Sequence, residues 1–353
     1  MKHPYITKHT HSFYKPIRIL LFFIPITVYL AYKLIASPNI LVGQSDRLLI
    51  IPRGYTLKQV KDLLEQEGYL TSPTSFFLTA YLCRYNPKLF PGQYRFSTNM
   101  SNWEAVKTLR GGRQTPVRLT FSMAQNKLDL VEQLTKRIGV DKAALLNQLN
   151  DATQLATYGF TPENVLTMFI PDTYEVYWTI TAEKLFALML NAYQRFWNNV
   201  RLNQLRQLSL TPIEVSILAS IVQSETNFQE DAAMIAGVYI NRLKRNMRIG
   251  SCPTLLYSLK EQNPQVKNRV LLKDTYVDSP YNSYRKKGLP PGPITLPSKA
   301  MIDAVINYVR HDYLYFSAKE DFSGFHYFAK TYQAHIKNAN KYRKALNLRK
   351  IMK

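Results

Sequence analysis

Only two cysteines, Cys83 and Cys252, occur in the chain, so no disulfide framework is indicated and two unpaired thiols are expected. Acidic residues are scarce as well: 24 Asp and Glu stand against 46 Lys and Arg in 353 residues, a formal net charge of +22. Such an imbalance calls for an anionic partner, and composition leaves open whether that is nucleic acid, an acidic membrane surface or an acidic polymer. At 46% apolar residues the chain can bury a sizeable core, and its length accommodates two domains.

One apolar run stands out, IRILLFFIPITVYLAYKLIA at residues 17–36. Fourteen uncharged residues lie between Arg18 and Lys33, and the run reaches Ala36 if Lys33 snorkels. That is short for a bilayer span, which takes roughly 17–25 residues, and Pro25 would kink it without forbidding it. Lys2, Lys8, Lys15 and Arg18 precede the run, so the positive-inside rule puts the N-terminus in the cytoplasm. No small-x-small cleavage site follows, which favours a retained single-pass anchor over a cleaved signal. The basic bulk of the chain then lies beyond the membrane, where cell-wall polymer and lipid headgroups are met before DNA, and no nucleic-acid partner is expected.

Beyond the anchor, LLIIPRGYTLKQVKDLLEQEGYL (48–70) predicts strand, turn and helix. A related unit returns 71 residues later in LTFSMAQNKLDLVEQLTKRIGV (119–140), where Phe121, Leu128, Val131, Leu134 and Gly139 match Ile50, Leu57, Val60, Leu63 and Gly68. Two copies suggest a duplicated strand–helix element and not a solenoid. LFPGQYRFS (89–97) predicts a turn into a strand, Trp103–Leu109 a short helix, and MFIPDTYEVYW (168–178) a Pro-Asp turn followed by an aromatic strand. Residues 182–208 predict one amphipathic helix. The fold class is therefore α+β, with helices dominating the second half.

The stretch ASIVQSETNF (219–228) carries the chemistry. Thr211-Pro-Ile-Glu214 forms a capping box that opens a helix. Glu225 falls on the same stripe as Leu218, Ile221 and Val222. Asn227 and Phe228 end the pattern, and Glu230-Asp231 open a second helix, countering its dipole. A carboxylate on an apolar stripe at a helix elbow is either an ion-pair partner, of Arg242 or Arg245, or a partly desolvated acid. Desolvation raises a carboxyl pKa, as a general acid near neutral pH requires. His326 and His335 show no metal-ligand spacing and read as structural; no metal and no cofactor is expected.

ASIVQSET, AGVYINRLKRNMRI, CPTLLYSL, YNSYRKKGLPPGPI, YLYF and FHYF occur in this order, with MFIPDTYEVYW and PGQYRF ahead of them. Together they resemble the MltG/YceG-like endolytic murein transglycosylases, over about residues 48–345. The resemblance implies an enzyme of the bacterial inner membrane. Residues 1–16 would be cytoplasmic, 17–36 a transmembrane helix, 37–46 a linker, 47–118 a LysM-like segment, 119–345 a mainly helical, lysozyme-like catalytic domain and 346–353 a basic tail. It implies cleavage between N-acetylmuramic acid and N-acetylglucosamine in nascent peptidoglycan strands, leaving 1,6-anhydro ends. Association with peptidoglycan synthases is implied by the family alone. The family's catalytic glutamate maps onto Glu225. Gln223 and Asn227 beside it, with Tyr281, Asn282 and Tyr284 in the following loop, are the expected substrate-binding residues.

Two departures stand out: Gln223 where many relatives have a further glutamate, and Cys252 where they commonly have aspartate. The chemistry accommodates a lone acid, because the sugar's own C6 hydroxyl replaces water as nucleophile. Asp172 is held in reserve as a second carboxylate. The alternatives are a muramidase that uses water and two carboxylates, and a non-catalytic wall-binding scaffold.

Overall fold

The computed structural model describes residues 14–266 and 270–349, with side chains from Phe23 onward. Most of the expected cytoplasmic N-terminus and the last residues of the basic tail lie outside them. Two compact units divide the chain: one runs to Val117 and includes residues 176–179, and the other holds residues 118–175 and 180–353.

The first unit contains, in order, α1 (Tyr14–Ile35), β1 (Pro38–Ile40), β2 (Arg47–Ile51), α2 (Leu57–Gln66), α3 (Pro73–Leu82), β3 (Gly92–Phe96), β4 (Met100–Ser101) and α4 (Asn102–Arg110). β2 pairs antiparallel with β3, from Arg47 opposite Phe96 to Ile51 opposite Gly92, and β1 pairs antiparallel with β4. Alternation in β2 sends Leu49 and Ile51 inward and leaves Leu48 and Ile50 exposed. The Thr56–Gln59 capping box starts α2, which buries Val60 and Leu64 against Phe76 of α3 and Leu109 of α4.

α1 covers the apolar run as far as Ile35 and contains Pro25. Among the described residues, however, no helix is long and apolar enough to cross a membrane. Its C-terminal end is tied down where Thr79 Oγ1 and Asn102 Nδ2 donate to Leu34 O at 3.1 and 2.7 Å.

The second unit adds β5 (Val117–Phe121), α5 (Lys127–Thr135), α6 (Lys142–Gln148), α7 (Ala152–Ala156), β6 (Asp172–Val176), α8 (Ala182–Phe196), α9 (Asn199–Arg206), α10 (Pro212–Glu225), α11 (Gln229–Lys244), α12 (Cys252–Gln262), α13 (Lys299–Ile306), β7 (Tyr315–Ala318), β8 (His326–Ala329) and α14 (Tyr332–Leu348). β5 pairs with β6, and β7 pairs antiparallel with β8. With fourteen helices and only two-stranded sheets among the described residues, the class is α+β. β2–α2 and β5–α5 are both strand followed by helix, and Val60 and Val131 are buried at matching positions.

The helix predicted over 182–208 is two helices. At Asn198 the side chain accepts from Val200 N and Arg201 N, capping a new start, while Trp197 turns inward. α10, α11 and α13 form the core, through Leu218, Ile221, Val222, Ile235, Ala236, Ile302 and Val305. Gly237 lets α11 approach the chain at 309–311: a Cβ there would meet Val309 O and His311 Nε2, each at 2.6 Å.

Candidate functional site

α10 is capped as its sequence requires, Thr211 and Glu214 exchanging hydrogen bonds across its first turn. It is buried along most of its length, and Glu225 is its last residue. The residue as a whole is half-buried, while its carboxyl group lies buried.

Two hydroxyls converge on one carboxylate oxygen. Tyr239 Oη, from the middle of α11, donates to Glu225 Oε1 at 2.8 Å, and Ser251 Oγ donates to the same atom at 2.7 Å. Ser251 stands at the N-cap of α12, where a serine normally bonds the helix's own free N–H groups. It makes no such cap, its hydroxyl being committed to Glu225. Behind it, Ser251 N donates to Ser283 Oγ at 2.9 Å, and Thr254 Oγ1 lies 2.6 Å from Ser283 Oγ and donates to Ser251 O. These side chains are buried and fix the hydroxyl that holds the acid.

Burial pushes the Glu225 carboxyl above its ordinary range. The Ser251 and Tyr239 hydrogen bonds oppose that shift, as do the fields of His326 and Arg242, and desolvation wins. None of the groups that hold Glu225 is a carboxylate. Arg242 is not its ion-pair partner: Nε donates to Leu314 O at 2.6 Å and Nη1 to Ile249 O, and the guanidinium lies over the Tyr315 ring. Removing either hydroxyl therefore has a definite sign. Tyr239→Phe and Ser251→Ala should each move the pH at which the acid titrates upward, read as a shift of the acid-dependent limb of the activity profile.

Asp231 does more than face a helix dipole. It is buried, accepts from His326 N at 3.2 Å and lies 2.7 Å from His326 Nδ1, tying α11 to β8. Phe228, at the N-cap of α11, stacks on Phe325 with centroids 4.4 Å apart and planes 16° from parallel. With Gln229 and Glu230 they line an open hollow. Phe228 remains 43% exposed, three residues from the acid.

The other expected site residues separate into two groups. Gln223 spends its amide on structure: Nε2 donates to Leu296 O at 3.1 Å and Oε1 accepts from Ser298 N at 2.8 Å. Asn282 is fully buried, with Nδ2 donating to Thr275 O and Val277 O and Oδ1 accepting from Tyr284 N. Tyr281 is buried against Tyr257 at 4.7 Å. The backbone engages both amides and Tyr257 packs on Tyr281, so all three also shape the walls of the region. Tyr284 stays partly accessible, its hydroxyl 3.1 Å from Cys252 Sγ, and Asn227 is exposed beside the acid. Asp172 pairs with Lys299, which holds its carboxyl below the usual range. His335 stacks on Tyr315, and burial lowers its pKa.

A half-buried acid held by two hydroxyls, with no carboxylate among its partners, is the candidate acid–base group of this mainly helical unit. The YceG-like family matches residues 49–341, and the chain belongs to that family. It is 28% identical over 343 residues to an endolytic murein transglycosylase of Streptococcus pneumoniae strain R6, covering 88% of this chain and 61% of that protein. An endolytic murein transglycosylase of Bacillus subtilis is 40% identical over 125 residues, 35% of this chain and 33% of that protein. The crystal structure of a yceG-like protein from Listeria monocytogenes superposes with a TM-score of 0.55 at 26% identity, covering 83% of this chain and 98% of that one. The chain thus spans about three fifths of the length of the pneumococcal relative it matches.

Proposed function

We propose that this chain is an endolytic murein transglycosylase, cutting glycan strands of peptidoglycan between N-acetylmuramic acid and N-acetylglucosamine with Glu225 as its acid and base. The observation that carries the reading is the state of Glu225: desolvated, raised in pKa and held at Oε1 by two donors. With Oε1 engaged, Oε2 carries the proton and presents it to the substrate.

The steps balance without water. Glu225 Oε2–H protonates the glycosidic oxygen, the C1–O bond breaks, and the leaving sugar departs as an alcohol. The muramic acid C6 hydroxyl then attacks C1, and the Glu225 carboxylate takes its proton, closing a 1,6-anhydro ring and restoring the acid. Tyr239 and Ser251 stabilise the carboxylate between the two transfers, when its charge is greatest. The names of the pneumococcal and Bacillus relatives support the substrate class.

Tyr284, Asn227 and the stacked Phe228–Phe325 pair are the groups available to a sugar, the aromatic faces by stacking. Phe228→Ala should raise KM severalfold while leaving kcat nearly unchanged, measured on purified glycan strands. A loss confined to kcat, with KM unchanged, would place Phe228 outside substrate binding.

α1 is read as a single-pass anchor, with the second unit outside the cytoplasmic membrane and the first unit a LysM-like segment. The support is that Phe23, Ile24, Ile26, Val28, Tyr29, Leu30 and Tyr32 all remain exposed on one helix, a pattern suited to lipid and costly in water. The transglycosylase reading is tested by digesting purified peptidoglycan with the full chain and with Glu225→Gln. Anhydro ends from the native protein alone support it, and absence of new ends from both overturns it.

A further inference from the structure

The apolar surface does not stop at α1. α3, PTSFFLTAYL, has no charged residue and is apolar on both faces. Phe76, Thr79 and Ala80 face the core of the first unit. Phe77, Leu78, Tyr81 and Leu82, spaced i, i+1, i+4 and i+5, share the opposite face and stay 36–66% exposed. A helix apolar all round belongs in a core or in lipid, and a contiguous exposed patch marks an interaction surface.

Two further observations name the occupant. The end of α1 is fastened to this part of the unit, since Thr79 of α3 and Asn102 of α4 both donate to Leu34 O. Trp103, 48% exposed, lines a hollow with Ile35, Ala36, Ser101 and Glu104 at the same end, where an aromatic belt residue would lie. The charge agrees: no acidic residue occurs between Glu67 and Glu104, whereas Arg84, Lys88 and Arg95 do. A surface that is apolar and aromatic-edged, on a basic stretch whose acids lie only at its two ends, suits an anionic bilayer.

We infer that the outer face of α3, with Trp103, is a membrane-interfacial surface that lays the first unit on the anionic phospholipid bilayer entered by α1. This rests on the reading of α1 as an anchor. Phe77, Leu78, Tyr81 and Leu82 reach the boundary between headgroups and acyl chains, at a depth of about 5–10 Å. The chain leaving α1 is thereby held against the membrane instead of standing off it.

The test uses the full chain carrying Tyr81→Cys in a Cys83→Ser, Cys252→Ser background, labelled with a small fluorophore. It is reconstituted into vesicles of phosphatidylethanolamine and phosphatidylglycerol. Flotation after a high-salt wash reports the anchor. Quenching by lipids brominated in the shallow acyl chain, against quenching by aqueous iodide, reports the α3 face. The expected result is flotation with several-fold stronger quenching by bromolipid than by iodide, reversed when Phe77→Asp and Leu78→Asp are added while flotation persists. Flotation with an iodide-accessible label overturns the α3 surface and leaves the anchor standing. A label shielded from both quenchers means that protein covers the face, in a second copy or another partner, and overturns it too. Loss of flotation removes the anchor and the inference together.

Discussion

Glu225→Gln is expected to stop glycan cleavage, with a rate loss of at least about 10²–10⁴-fold, the range supplied by positioned proton transfer. The single-acid mechanism uses this carboxyl twice, so the loss should lie at the upper end or beyond it. The substitution should not harm the fold. A glutamine Oε1 still accepts from Tyr239 Oη and Ser251 Oγ, and the side chain keeps its volume. Stability should in fact rise at neutral pH. Burial raises the folded-state pKa of Glu225 above its unfolded value, so the stability linked to its proton is complete below the unfolded pKa and is lost as pH rises through the folded one. Glutamine carries no such dependence. Thermal melts at pH 7 should place Glu225→Gln above the native protein, and the gap should close on acidification. A variant that is inactive because it melts lower would contradict the account.

The second large effect is expected from Gly292→Ala, in the Leu289-Pro-Pro-Gly-Pro293 segment. A Cβ at Gly292 would sit 1.9 Å from Glu163 O and 2.9 Å from Tyr281 Oη. The first of these is backbone and cannot rotate away, so the segment must move. Overpacking of this kind costs about 1–3 kcal/mol and occasionally more, and the melting temperature should fall roughly 2–4 °C for each kcal/mol. Activity should fall with it. The same stretch of chain carries Ser283 and Tyr284, whose contacts reach Ser251 and Cys252 beside the acid. Unchanged melting would show that the segment is looser than its contacts indicate.

Much of this was legible in the sequence where the governing interactions are local. The Thr211–Glu214 box and the stripe of Leu218, Ile221 and Val222 are properties of one helix, and they put Glu225 at its apolar end before any fold is known. The short strand at Gly92–Phe96 and the helix at Asn102–Arg110 are likewise announced by turns and caps within a few residues. Tyr239 and Ser251 are different. Their roles exist only because α11 and α12 return to the end of α10, and no local pattern shows that. Ser251 stands at the N-cap position of α12. Its missing cap bond, visible only in three dimensions, is the sign that its hydroxyl is used elsewhere.

The same distinction explains Gln223, Asn282 and Asp231. An amide near an acid reads as a ligand for sugar, and only the fold shows that the backbone at Leu296–Ser298 and at Thr275–Val277 also engages both. Asp231 reads as a first-turn acid until β8 brings His326 against it. The break at Asn198 was missed because the apolar spacing continues across it, whereas the asparagine side chain restarts the helix.

The central claim is that one carboxylate suffices because the substrate supplies its own nucleophile. Digestion of purified peptidoglycan strands by the full chain in oxygen-18 water, with mass spectrometry of the new ends, tests it most directly. The account predicts anhydro ends that contain no heavy oxygen. Reducing ends carrying heavy oxygen, formed as fast as total cleavage, would contradict it: water would be the nucleophile, and a second carboxylate would have to face Glu225.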